Sequence, residues 1–448
     1  MALVRYFFVF SGITLIARIS GFIRDFLMAM IFGSHYMADV FLVAFRMPIV
    51  CRSVLVDEQL NYVFVPNYSK KLSKDVGSAI KLANNVLSLL IIALLLIILF
   101  VECFMPYILR MAAPGFFINP DKAHALIRVG RIMYPYLLVG GPVSVIISVL
   151  QSHNKFYGVA IPSITTNLFL IFTMFTCIVK IGTVDLWRIA HFLGFGVLVA
   201  GVVQITIGFV LCRCNGIKLN PLVKPKIDDD LKCNACHSAP IMMNSIMLRL
   251  NNWINQILLS LIAGGISYMY YAERVVQLPI SLIGISISAV LLPNLSRHIA
   301  KKERDTAIHI QNRSLEFSLV LGIPAALTLC IFSSEIINLL FGKGRFLSSD
   351  LETISDILLV NAFGIVPFVL SNILLQNFYS QGNTKTPFKL SFIRVAVNTV
   401  LDLLLISKYK YVGVAFSTAV SAWIYLLAIF LTVPVSYTHL TLPTTSRV

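Results

Sequence analysis

Apolar segments near bilayer-crossing length, strung together by short polar loops, constrain this chain more than any other feature. They lie near Tyr6–Phe32, Met37–Val56, Ala79–Phe104, Ala125–Leu150, Val159–Ile181, Trp187–Leu211, Ala239–Ala263, Ile266–Leu292, Leu315–Phe341, Ile354–Tyr379, Thr386–Ile406 and Val412–Val433. At about 1.5 Å of rise per residue, roughly 20 apolar residues are needed to cross a hydrocarbon layer of about 30 Å. No water in that layer can satisfy a backbone amide, so runs this long and continuously apolar must cross as helices. The pattern predicts an all-α polytopic membrane protein of about twelve transmembrane helices. A soluble fold is excluded by a composition that is 58% hydrophobic and only 12% charged, with a mean hydropathy of +0.85.

The net charge of +16 would suit a nucleic-acid partner, but its distribution argues otherwise. With the N-terminus inside, seventeen loop lysines and arginines fall on the cytoplasmic side and eight on the other. That is the positive-inside bias of a membrane protein, not a nucleic-acid footprint. Both ends are expected in the cytoplasm. Arg5 and the apolar run after it resemble a secretory leader, yet no small-residue cleavage site precedes Arg18, so the segment reads as an uncleaved first helix. The eight cysteines show no paired pattern on the outer face and imply no disulfide framework.

The chain also matches itself. FVPNYS at 64–69 recurs as LLPNLS at 291–296, each followed by a basic loop, and Pro66 and Pro293 are 227 residues apart. APGFF at 113–117 aligns with LFGK at 340–343 at the same separation, and Gln151 with Pro162 aligns with Gln376 and Pro387 at 225. Three anchors in order divide twelve helices into two lobes of six, and an even number gives both the same orientation, a parallel repeat. The boundaries read as an N-terminal lobe over 1–212, a cytoplasmic linker over 213–236, a C-terminal lobe over 237–434 and a tail over 435–448 that suits neither a span nor the rest of the chain.

Arginines interrupt these spans. Arg18 and Arg24 lie in the first segment, Arg46 and Arg52 in the second and Arg274 in a later one. Each costs roughly 2.5–3.5 kcal/mol at bilayer depth, on the order of 10 kcal/mol for the set. The nearby acids, Asp25, Asp39, Asp57 and Glu273, are too few and scattered to neutralise them all. A water-accessible cationic cavity that takes an anion is the simplest use. The competing reading is a set of structural ion pairs: Arg18 with Asp25, leaving Arg24 to face elsewhere, and Asp39 with Arg46, which is the favoured reading for that pair. Arg52, with Asp57 and Glu58 nearby, has snorkelling to the interface as its less favoured alternative. Glu273 points to another face of its helix, which would leave Arg274 facing the cavity.

Other chemistry lacks its residues. CNACH at 233–237 has the form of a haem-attachment motif but falls in a loop that the charge bias places inside. Cys212, Cys214, Cys233 and Cys236 have zinc-like spacing, yet solvated loop cysteines are the favoured reading and no metal is assigned. No phosphate-binding loop, metalloprotease or serine-hydrolase motif occurs, and the acidic cluster Asp228–Asp230 sits in the linker. A transporter without a cofactor is expected, rather than an enzyme.

The motifs SGITLIARISGFIRD at 11–25, FG at 32–33, Asp39, AFRMP at 44–48 and FVP at 64–66 closely resemble the MurJ (MviN) lipid II flippase family of the MOP exporter superfamily. APGF at 113–116, NKF at 154–156 with Pro162, YYAER at 270–274 with LP at 278–279, LLP at 291–293, FYS at 378–380 and TKTP at 384–387 extend the resemblance to about Val433. It implies two lobes around a cationic cavity that carries undecaprenyl diphosphate bearing a disaccharide-pentapeptide from the inner to the outer leaflet of a bacterial inner membrane. Arg18, Arg24, Arg52 and Arg274 match the family's cavity arginines and would hold the diphosphate, with Asp25, Asp39, Asp57 and Glu273 as supporting acids. A monomer in contact with membrane lipids, and with cell-wall synthesis proteins, is the implied state. The chain departs from the family where Ile49 replaces an asparagine and where Val56, Asp57, Glu58 and Gln59 replace a small-residue turn. It also stops before two further family helices, so the end reads as truncated. The rivals are a sister exporter of other lipid-linked sugars or drugs, and a membrane transferase acting on the same lipid.

Overall fold

The computed structural model describes residues 2–432 apart from 58, 154, 156–157, 159–160, 182–184, 222, 224–245, 247–248, 382 and 384. The described residues hold helices and turns only: α1 (Ala2–Phe32), α2 (Tyr36–Arg52), α3 (Val65–Leu72), α4 (Val76–Ala112), α5 (Pro120–Met133), α6 (Tyr136–Ser152), α7 (Ile161–Ile181), α8 (Leu186–Cys214), α9 (residues 249–260), α10 (Gly265–Pro279), α11 (Ser286–Ala300), α12 (Arg304–Ile331), α13 (Ser333–Phe341), α14 (Ser348–Ala362), α15 (Ile365–Ser380) and α16 (Lys385–Thr432). Among them are eight helical runs long and apolar enough to cross a membrane. The last, Lys385–Thr432, carries both spans expected at Thr386–Ile406 and Val412–Val433 and turns at Lys410, which has a φ of 47°. The segment expected at Ala125–Leu150 is instead two helices, α5 and α6, meeting at Pro135. Proline has no amide hydrogen for the helical ladder and crowds the turn before it. Leu315–Phe341 also divides, into α12 and α13 around Phe332.

Local chemistry sets the helix ends. Asp75 begins α4 by accepting hydrogen bonds from the backbone N–H of Gly77 at 3.0 Å and Ser78 at 2.7 Å. These bonds hold its carboxyl below the usual carboxylate range. Farther along, Leu96, Leu99 and Phe100 of α4 and Phe172 and Phe175 of α7 are exposed, an apolar surface suited to hydrocarbon rather than water.

The chain forms two compact units, Met1–Arg249 and Leu250–Val448. Inside the first, α7 packs on α1 and α8, α2 on α5, and α6 on α4 and α8. Inside the second, α10 packs on α14, α12 on α11 and α15, and α16 on α14 and α15. At the repeat separation α2 corresponds to α10, α5 to α14, α4 to α12 and α6 to α15. The α2–α5 pairing is thus repeated by α10–α14, and α4–α6 by α12–α15. Close approach within the first unit depends on Gly141 of α6, where a Cβ would collide with Leu94 of α4.

The repeat reaches into irregular winding. The chain is π-helical over Ser53–Asp57 and Leu60–Phe64 after α2, and over Ile280–Ile285 after α10. Ser53 and Ile280 are separated by the same 227 residues as Pro66 and Pro293. π-turns are rare and concentrate where function needs them.

Candidate functional site

Arg24 of α1 is 7% exposed and fully engaged. Its Nε and Nη2 donate to Asp25 Oδ1 at 2.9 and 2.6 Å, and its Nη1 donates to Asn167 Oδ1 at 2.9 Å. Its guanidinium carbon also lies 5.4 Å from the centre of the Phe45 ring. Asn167 comes from α7, and its Nδ2 donates to the Ala17 carbonyl at 3.1 Å and to Ser20 Oγ at 3.0 Å. One amide thus joins the Arg24 head to the backbone of α1. Gly21 makes room for it, since a Cβ there would sit 3.3 Å from Asn167 Nδ2.

This corrects the expected pairing of Arg18 with Asp25. Seven residues of α-helix separate those two by about 10 Å along the axis, whereas the long Arg24 side chain folds back on its neighbour. Arg18 is half-buried and has no ion pair or hydrogen bond among the described residues. The Asp39–Arg46 pair fails over the same seven-residue span, and Arg46 is likewise without an ion pair or hydrogen bond among the described residues. Asp39 is only 1% exposed and lies in the first turn of α2. There the positive end of the helix dipole offsets its charge.

Arg52 closes α2. Its Nε donates to Asp57 Oδ2 at 3.3 Å and its Nη1 to the Tyr136 hydroxyl at 3.5 Å. Five residues separate Arg52 from Asp57, a spacing that faces one side of a helix only when it winds as a π-turn, as Ser53–Asp57 does. Asp57 also accepts from Ser144 Oγ at 2.6 Å. Tyr136 in turn donates to Gln204 Oε1 at 3.2 Å, and Gln204 Nε2 donates to Thr166 Oγ1 at 2.6 Å and the Pro162 carbonyl at 3.0 Å. A polar chain therefore runs from α2 through α6 and α8 to α7. Gly140 borders it, because a Cβ there would sit 3.1 Å from Arg52 Cδ.

In the second unit, Arg274 donates to the Tyr270 hydroxyl at 2.8 Å and to Gln277 Oε1 at 3.3 Å, both on its own helix. It also lies over the Tyr270 ring at 4.8 Å. It is therefore tethered rather than left loose, and the half-buried Glu273 beside it is engaged as well. The structure thus joins Arg24 to Asp25 and Arg52 to Asp57, and keeps Arg18, Arg46 and Asp39 apart from those pairs.

Asn167, Ser144, Tyr136, Gln204 and Tyr270 escaped sequence reasoning. The signal that could have found them is polarity inside an apolar span, where each such group must find a partner. Arg394 of α16 satisfies the same insertion-cost criterion as the other arginines and was missed with them. Of the zinc-spaced cysteines, Cys212 is buried at the end of α8 and Cys214 is exposed. Cys233, Cys236, His237 and Asp228–Asp230 lie outside the described residues, as does the tail over 435–448. Among the described residues no three acidic, histidine or cysteine side chains gather to hold a metal.

Arginine N–H groups bonded to exchangeable carboxylates and hydroxyls, at several positions in apolar helices, suit the recognition of an oxyanion such as phosphate. The comparisons with known proteins agree in class. A family model described as lipid II flippase MurJ matches residues 28–441. A probable lipid II flippase MurJ of Rhizobium tropici is 34% identical over 434 residues, covering 96% of this chain and 81% of that one. The protein of the same name from Rickettsia prowazekii is 31% identical over 424 residues, covering 94% and 82%. Among solved structures, a lipid II flippase MurJ in an inward closed conformation matches with a TM-score of 0.79 at 24% identity, covering 95% of this chain and 87% of that one. An inward-facing multidrug resistance MATE family transporter of the MOP superfamily matches with a TM-score of 0.76 at 11% identity, covering 95% and 96%. At those identities the two structures establish the fold alone, and the family rests on the sequence relatives. By that measure the chain belongs to the lipid II flippase MurJ family.

Proposed function

We propose that this chain moves lipid II, undecaprenyl diphosphate bearing a disaccharide-pentapeptide, from the inner to the outer leaflet of a bacterial inner membrane by alternating access. It is a flippase and not an enzyme. Arg18, Arg24, Arg52 and Arg274 take the diphosphate, and Asp25, Asp39, Asp57 and Glu273 set the charge and posture of those arginines. The observation that carries this reading is the tethering of Arg24 and Arg52 by Asp25, Asn167, Asp57 and Tyr136 on apolar helices. A guanidinium fixed in place loses little entropy on gripping phosphate oxygens, and two parallel N–H bonds suit that anion. Asp25 and Asp57 offset the charge of Arg24 and Arg52, so those two arginines survive in the membrane without substrate.

The polyprenyl tail stays in lipid while the headgroup crosses. With no phosphate-binding-loop motif in the sequence, net direction comes from differential affinity between the two states, biased by membrane potential or by consumption of the product outside. The moving bodies are a lobe over 1–212 and a lobe over 237–434 joined by the linker 213–236. The N-terminus is cytoplasmic, and the protein works as a monomer beside the cell-wall synthesis proteins that use its product.

The test is complementation of a flippase-depleted bacterium, with surface-exposed lipid II measured for the unmodified chain and for Arg18→Ala, Arg24→Ala, Arg52→Ala and Arg274→Ala. The chain restores exposure and the four variants do not. Normal exposure in all four would remove the site assignment, and failure of the unmodified, membrane-inserted chain would remove the function.

A further inference from the structure

Arg394 lies ten residues into α16, inside an apolar span, and nothing above uses it. Its guanidinium carbon is 5.2 Å from the centre of the Tyr425 ring and 5.8 Å from that of Phe368. The two rings come from the second half of α16 and from α15. Among the described residues it makes no ion pair and no hydrogen bond. Ser391, one turn earlier, is spent on the Tyr425 hydroxyl at 3.2 Å. The acid on the same face of α16, Asp402, is two turns away, about 12 Å by helical rise, too far for an ion pair.

Aromatic faces offset positive charge but offer no lone pair to an N–H donor. A guanidinium has five such donors, no acceptor, and cannot lose its proton in a protein. Arg24 gives the contrast, with all three of its nitrogens donating to oxygen. Arg394 has its charge offset and its hydrogen bonds unspent, and it is half-buried rather than sealed. An acceptor from outside the chain therefore completes it. In a membrane, acceptors that match a planar, bidentate cation are phosphate oxygens.

We propose that Arg394, backed by Phe368 and Tyr425, is a phosphate-oxyanion-binding residue of the second unit, additional to the four arginines above. Two sources supply that chemistry: the diphosphate of a polyprenyl lipid and the phosphodiester of an anionic membrane lipid. The proposal rests on the flippase reading only for its choice of the first as a probe.

The experiment is native mass spectrometry of the purified full chain in detergent, titrated separately with undecaprenyl diphosphate and with phosphatidylglycerol. Loss of a charge-assisted bidentate contact predicts that Arg394→Gln weakens one of the two by about tenfold. Arg394→Lys, which keeps the charge but not the fork, should lie between. A drop confined to undecaprenyl diphosphate makes Arg394 part of the substrate path. A drop confined to phosphatidylglycerol makes it a lipid-headgroup site and leaves the flippase reading untouched, since that reading stands or falls on lipid II exposure. Unmodified affinity for both lipids in Arg394→Gln overturns the proposal. Should that variant fail to fold, Arg394→Lys carries the test, and unmodified affinity for both lipids there overturns it equally.

Discussion

The two units handle the same difficulty differently. In the first, Arg24 and Arg52 are each bonded to a carboxylate of their own segment, Asp25 and Asp57, and steadied by Asn167 and Tyr136 from neighbouring helices. In the second, Arg394 stands between Phe368 and Tyr425 and makes no ion pair among the described residues. A carboxylate cancels charge and fixes geometry but competes with an incoming anion. Ring partners offset less charge and leave the N–H donors unspent. The difference teaches that matching helix packing in a repeat does not force matching electrostatics.

The largest effect that would break this contrast is at Arg24. Arg24→Ala strands Asp25, which is 3% exposed, and removing one partner of a buried pair costs about 3–5 kcal/mol. Thermal unfolding in detergent should show it, and Arg24→Ala with Asp25→Asn should recover much of the stability without recovering lipid II exposure. Full exposure in that double variant would mean that Arg24 serves only the fold. Next comes packing: Gly141→Ala drives a methyl into Leu94 and should destabilise the first unit by about 1–3 kcal/mol, read from the same unfolding curve. Tyr136→Phe removes the hydroxyl between Arg52 and Gln204, and Tyr270→Phe removes the one beside Arg274. Each should cost about 1 kcal/mol. Because Arg52 keeps Asp57, Tyr136→Phe lowers lipid II exposure less than Arg52→Ala does. Equal losses in the two variants would remove the role given to the carboxylate tether. The smallest effect is at Asp75. Its carboxyl titrates below the usual range, so its help to the start of α4 is full above the unfolded-state value and fades as pH falls through the folded one. The protection of the Gly77 and Ser78 amides, relative to their intrinsic exchange rates, should fall there in acid, and Asp75→Ala should be less protected above that range and converge with the unmodified chain below it.

Much of this was legible in the chain. Apolar run length fixes helices because lipid leaves the backbone no other partner, and the expected spans fall on helices wherever they are described. Insertion cost singled out Arg18, Arg24, Arg46, Arg52 and Arg274 as residues in need of an explanation. The pairings were not legible. Wheel arithmetic favoured Asp39 with Arg46 and allowed Arg18 with Asp25, but those partners lie two helical turns apart. The π-turn that brings Asp57 to Arg52 has no marker in composition. Asn167, Tyr136 and Gln204 come from helices α7, α6 and α8, distant in the chain, so only packing discloses them.

The irregular turn after α2 has one more consequence. In ordinary α winding, residues five apart point about 140° away from each other around the axis, and Arg52 could not reach Asp57. Their contact is therefore a gauge of how tightly that stretch is wound. Any event that takes one residue of slack out of it must part the two charges and swing the guanidinium away from its present bearing.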